Sequence, residues 1–210
     1  MPRGVYIVGE DPVTLAIIQR IIKDYAPHLN IIQSLPARGS QIKSKIGSFN
    51  TVANSSPVIL LTDLDTDPCA PMAKANLLKG LSSVSPEFVI NVAVDEAEAW
   101  LLADRDGFST YFGIPLDHMP QASPQKMMGR NPRIEVEVPL KSSYYITHNL
   151  ITSSSKATLK QQIFAEDSCK GKEYNSAMLP FVSDVWNVEN ARQFSYSLNG
   201  MILRIQQIAP

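Results

Sequence analysis

A chain of 210 residues, 44% of them apolar, is long enough to bury a core without disulfides or a structural metal and too apolar to be a disordered segment. Its formal charge of −1 excludes a broadly basic nucleic-acid surface and leaves room only for a local basic patch. The two cysteines, Cys69 and Cys169, are too far apart for a metal knuckle, and "MPRGVYIVGED" meets its first acids too early for a signal-peptide core. No apolar run approaches the roughly 20 residues needed to cross a bilayer, so a soluble cytoplasmic protein with reduced thiols and no membrane partner is expected.

"GVYIVG" is short, apolar and β-branched, the signature of a buried strand. The following "EDPVTLAIIQRIIKDYAP" predicts a helix capped by Asp11, with Pro12 in the first turn and Leu15, Ile18, Ile22 and Tyr25 at helical spacing. "LNIIQSLP" reads as a second strand, and residues 38–56 carry only weak helical signal within loop-like composition. "PVILL" is the third strand, followed by the acid-rich "TDLDTDPC" and a helix through "MAKANLLKGL". "PEFVINVAV" is the fourth, and "DEAEAWLLADRDGF" predicts one helix with acids in its first turn, where the helix dipole favours them. Buried strands alternating with helices imply an α/β fold with a mostly parallel sheet and flanking helices.

Beyond Gly113 the pattern changes. "MPQASPQKMMGRNPR" reads as a Pro-rich loop, "IEVEV" as a half-exposed strand, and "TSSSKATLKQQI" as a short serine-capped helix. Pro180 marks a kink or boundary in "YNSAMLPFVSDVW". "NVENARQFSYSLNGMILRIQQI" predicts one longer helix with Ala191, Phe194, Leu198, Met201, Ile202 and Ile205 on its apolar stripe. This suggests an α/β core over residues 1–112 and a loop-rich, helical extension over 113–210 packed on it as one globular unit.

In open α/β sheets ligands gather at the carboxyl ends of the strands. Three such ends here carry acids: Glu10 and Asp11, Asp63 and Asp65, and Asp95 and Glu96. Residues two apart in an extended segment point to one side, so Asp63 and Asp65 are expected to converge. Crowded carboxylates repel unless one is protonated or a cation lies among them, and hard oxygen ligands suit Mg²⁺ or Mn²⁺. Any single acid at a strand end serves equally well as a helix cap or a solvated turn.

A strand ending in a glutamate, a later strand ending in "TDLDTD" and a further acid resemble the Toprim fold, the metal-binding domain of topoisomerases, primases and OLD-family nucleases. "VGEDPVTLAIIQRII", "TDLDTDPC", "VAVDEAEAWLLADRDGF", "NPR" and "GKEYNSAMLPFVSDVW" together resemble a small group of bacterial Toprim-like proteins with an E-x-E-A-W-L-L-A-D helix after the fourth strand. The resemblance implies a Mg²⁺-dependent phosphodiester or phosphoryl-transfer site acting on nucleic acid, with a partner ATPase in some related systems. Carried onto matching positions, Glu10 is the catalytic glutamate, Asp63 and Asp65 hold the metal, and Glu96 or Glu98 supplies the further acid. Those two lie about 200° apart on a helix, and Glu96, nearer the strand end, is preferred. Where the resemblance expects glutamate–glycine at the first strand end, this chain reads Val8–Gly9, with the acid displaced to Glu10.

Two other readings compete: a non-catalytic binding or regulatory module on the same fold, and a receiver-like phosphoacceptor. The two-residue acid spacing and the long C-terminal half fit the receiver poorly. Lys126, Arg130, Arg133, Lys170 and Lys172 are the cations available for phosphate contacts, which supply most nucleic-acid affinity. His28, His118 and His148 show no ligand spacing, and Trp100 is expected in the core. Neither a P-loop nor a dinucleotide fingerprint is present.

Overall fold

The computed structural model describes residues 2–37, 39, 41–125 and 133–209. Its Cα packing separates two compact units: residues 1–94 with 200–210, and residues 95–199.

The first unit is built on a four-stranded parallel sheet of order β2-β1-β3-β4, formed by β1 (Arg3–Val8), β2 (Leu29–Ser34), β3 (Val58–Asp63) and β4 (Phe88–Ala93). The helices α1 (Pro12–Tyr25), α2 (Gln41–Val52) and α3 (Ala70–Leu78) make the crossovers that parallel pairing requires. β3 is buried from Val58 to Thr62, as expected of a central strand covered on both faces. Strand side chains alternate, so Val58 and Leu60 share a face with Phe88 and Ile90; there they pack with Ile42, Ile46 and Phe49 of α2 and Leu77 of α3. Helix α1 begins as its sequence dictates: the Asp11 carboxylate accepts from the Thr14 N–H at 2.8 Å and the Thr14 hydroxyl at 2.9 Å, and Pro12 opens the first turn. The 41–52 segment is a full helix, because Ile42, Ile46 and Phe49 recur at helical spacing and are buried.

The second unit opens with α4 (Ala97–Ala103) and α5 (Arg105–Phe112), two helices where the sequence suggests one. The break falls at Asp104, whose carboxylate accepts from the Asn187 N–H and the Asn190 side-chain amide, both at 2.8 Å. An antiparallel pair follows, β5 (Ala122–Gln125) with β6 (Arg133–Val136). Part of the expected Pro-rich loop is therefore strand, and 126–132 lies outside the described residues. The remaining helices are α6 (Ser142–Tyr145), α7 (Ala157–Ile163), α8 (Tyr174–Pro180), α9 (Val188–Ala191) and α10 (Tyr196–Gln206). π-helical turns extend α6 over Ile146–Leu150 and α8 over Phe181–Val185. The second begins where Pro180, lacking an N–H, interrupts the α-helical ladder.

The expected serine cap of α7 is replaced by Lys156, whose N–H donates to the Ser154 hydroxyl two residues further out, at 3.0 Å. The expected long C-terminal helix is two, and Phe194 in the break is 40% exposed rather than part of the stripe. Trp100, Tyr174, Phe181 and Trp186 are all buried, and Phe108, Phe112 and Phe181 form a ring cluster with centroids 4.3–5.4 Å apart. From Gly200 onward α10 belongs to the first unit. Among the described residues no helix is long and apolar enough to cross a membrane.

Candidate functional site

In the sheet order β2-β1-β3-β4 the chain runs outward from β1 to β2, then returns past β1 to lay down β3 and β4 on the other side. The reversal falls between β1 and β3, and such a switch point opens a crevice at the carboxyl ends of the two strands. Glu10 follows β1 and Asp63 ends β3 at that crevice.

Gly9 lets the β1–α1 turn fold tightly onto the helix: a Cβ there would lie 3.1 Å from the Leu15 backbone nitrogen and from the Thr14 methyl. The Glu10 carboxylate then reaches across to β3. Its Oε1 accepts from the Thr62 hydroxyl at 2.5 Å and from the Asp63 N–H at 3.2 Å. One carboxylate oxygen thus joins the ends of the two central strands next to a second, half-buried carboxylate.

The expected convergence of Asp63 and Asp65 takes a different form. β3 stops at Asp63, and Asp65 has φ 50°, a left-handed conformation within a turn closed by the Asp67 N–H to Leu64 carbonyl bond at 3.1 Å. Two-residue alternation applies only while the backbone is extended, so it does not carry over to Asp65. Asp65 is exposed, and Asp67 accepts from the Asn76 amide at 2.7 Å. Asp11 is the α1 cap, the bland role open to any acid at a strand end.

The remaining acids belong to the second unit, where each is held by named partners. Asp95 has φ 67°, and its Oδ2 accepts from both the hydroxyl and the N–H of Ser142. Burial raises the Asp95 carboxyl above its ordinary pKa; the Ser142 hydroxyl bond opposes this, and the nearby Glu96 charge adds to it. Glu96, 7% exposed, accepts from the Ser143 N–H at 2.7 Å and pairs with Lys141 at 3.5 Å. Glu98 pairs with Lys170 at 2.7 Å and accepts from the Tyr174 hydroxyl at 3.4 Å. Glu96 and Glu98 face different partners, and Glu96 is the extended residue just before α4, so the helical spacing expected between them does not apply.

Lys170 is therefore a counter-ion to Glu98, with its ammonium also 5.1 Å from the Tyr174 ring centre. Lys172 is exposed, and Lys126, Arg130 and the Arg133 side chain lie outside what is described. Two histidines have structural partners, His28 on the Ile208 carbonyl at 2.9 Å and His148 on the Ser168 carbonyl at 3.0 Å.

The acids at the β1–β3 crevice offer only oxygen donors, the chemistry of Mg²⁺ or Mn²⁺. Among the described residues no group of three or more His, Cys, Asp or Glu side chains could hold a metal ion. Two neighbouring carboxylates suit a cation that keeps most of its water shell, as Mg²⁺ commonly does. Glu10 and Asp63 offer donors of the type such a cation takes, and no closed cage is formed among the described residues.

Comparison with protein-family models, curated proteins and solved structures returns no match.

Sequence reasoning missed Thr62 and the serines. The hydroxyl of Thr62 is what fixes the Glu10 carboxylate, and "LLTD" reads simply as a strand end. Ser142 and Ser143 stand 47 residues from the acids they hold, a separation no local pattern exposes.

Proposed function

We propose that this chain is a Toprim-like protein whose β1–β3 crevice binds Mg²⁺ and acts on phosphodiester bonds of nucleic acid. The observation that carries this reading is the Glu10 carboxylate, anchored by the Thr62 hydroxyl and the Asp63 N–H at the topological switch point. Asp63 would hold the cation, since the left-handed backbone at Asp65 takes that residue out of the extended register. When bound, the cation would supply Lewis-acid stabilisation of charge on a phosphate. Glu10 is the acid or base, with its second carboxylate oxygen the one to exchange a proton and Oε1 keeping it in place. Glu96 is engaged within the second unit by Lys141 and the Ser143 N–H.

A second reading, a non-catalytic module on the same fold, is favoured by the same anchoring. A carboxylate bonded to a hydroxyl and a backbone N–H has its charge partly satisfied without any cation. Mn²⁺ titration separates the two. The enzyme should bind Mn²⁺ in the micromolar range and cut DNA or RNA with Mg²⁺. Asp63→Ala should abolish cleavage and weaken Mn²⁺ binding by about tenfold or more while leaving the circular dichroism unchanged. Millimolar Mn²⁺ affinity with no cleavage by the wild-type protein would leave the binding module.

A further inference from the structure

Away from that crevice, the first unit carries a groove along β4, an outer strand of the sheet. The groove has a volume of about 410 Å³, within the usual range for small-molecule sites. Phe88, Val89 and Ile90 of β4 form one wall, and Lys74 of α3 and Arg204 of α10 stand at it. By strand register Phe88–Ile90 lie opposite Val58–Leu60, three to five residues before Asp63. At 3.3 Å per residue this is roughly 10–16 Å from the acidic crevice, so the two are separate places.

Arg204 is aimed by a buried group. Its Nε donates to the Asn91 Oδ1 at 2.7 Å, and Asn91, 1% exposed, is itself tied by its amide to the Leu60 carbonyl at 3.2 Å. The two terminal guanidinium nitrogens make no hydrogen bond or ion pair among the described residues, which leaves the paired donors that match phosphate and carboxylate. Lys74 likewise has no hydrogen bond or ion pair among those residues. The acid lining the groove, Glu87, is engaged by Arg3 at 3.0 Å.

Both cations are open to solvent, as ligand-binding groups must be, yet the surrounding protein removes enough water to lower the pKa of each. The Arg204 charge lowers Lys74 further. Two neighbouring positive charges without a counter-ion repel, and an anion between them relieves that repulsion.

We propose that the β4 groove is a binding site for a small anionic molecule, whose phosphate or carboxylate group is held by Lys74 and the Arg204 fork. The body of the ligand lies along Val89.

Calorimetric titration of the full chain with inorganic phosphate tests this. Wild type should show one saturable site. Lys74→Ala and Arg204→Gln should each weaken it by about tenfold, the expected loss of one charge-assisted contact. Arg204→Lys, which keeps the charge without the fork, should fall between. Lys74 is exposed, so its variant should melt as wild type does. In competition, succinate displacing phosphate at lower concentration assigns the site to carboxylates, and the reverse order assigns it to phosphates; either supports the proposal. Non-saturable uptake, or equal uptake by a Lys74→Ala/Arg204→Gln double variant, overturns it. Mn²⁺ affinity should be the same in Lys74→Ala as in wild type; a fall would merge the groove with the acidic crevice and overturn its assignment as a separate site.

Discussion

Glu135 shows how a single side chain can set the pH response of a fold. It lies on β6, fully buried, and accepts from the Ser195 hydroxyl and from the Ser197 N–H at 3.1 Å. Burial raises its pKa from 4.5 to about 7, against the opposing pull of the two serines. Below about pH 4.5 both the folded and the unfolded chain carry the proton. As pH rises from there to about 7, the unfolded chain releases a proton that the fold retains, so stability falls across this window and levels off above it. A shift of this size corresponds to on the order of 3 kcal/mol. Glu135→Gln keeps the shape, and the Ser195 hydroxyl can turn to accept from the new amide. We expect this variant to flatten the dependence of urea stability on pH between 5 and 7.5. Fluorescence is a direct probe, because both tryptophans, Trp100 and Trp186, belong to the second unit. A Glu135→Gln profile as steep as wild type would refute a buried titrating carboxyl.

Two aspartates that terminate helices illustrate how an element's boundaries depend on context. Asp11 caps α1 from within its own turn, so Asp11→Ala should cost about 1 kcal/mol, read from urea unfolding of the helical signal. Asp104 ends α4 by a longer reach, to Asn187 and Asn190 at the start of α9. It is 1% exposed and accepts two hydrogen bonds, so Asp104→Ala removes both and leaves a gap in a packed position, and should be the more damaging of the two. Gly107 makes room for this: a Cβ there would lie 2.1 Å from the Asp104 Oδ2, so Gly107→Ala should produce much the same loss as Asp104→Ala. If Gly107→Ala were as stable as wild type, Asp104 would not depend on that close approach.

At the level of the whole molecule, the chain leaves the first unit after Val94 and returns to it at Gly200. The last residues of α10 therefore close a unit whose sheet is complete more than a hundred residues earlier. Arg204 bonds Asn91, the Arg3 guanidinium donates to the Ala209 carbonyl at 2.9 Å, and His28 meets Ile208. Ile202 and Ile205 are fully buried. Ile205→Ala should cost about 2–5 kcal/mol and speed hydrogen exchange of the β4 amides. Unchanged exchange there would show that the sheet is stable without this return segment.

Local chemistry by itself determined the four sheet strands, the start of α1 and the α/β alternation, because a buried β-branched run, an aspartate cap and a helical stripe act within a few residues of themselves. It also brought forward Glu10, Asp63, Asp65 and Glu96 as acids at strand ends. Only the tertiary structure decided what each acid touches. Glu10 is fixed by Thr62 from a neighbouring strand, Asp65 is turned aside by a left-handed backbone, and Glu96 is engaged by Lys141 and Ser143. The same holds for the breaks at Asp104 and before Ser195, where a periodic stripe reads as continuous until a distant partner takes the polar group within it. Periodicity reports burial along one element, whereas hydrogen-bond partners separated by 40 to 110 residues come together only when the chain has folded.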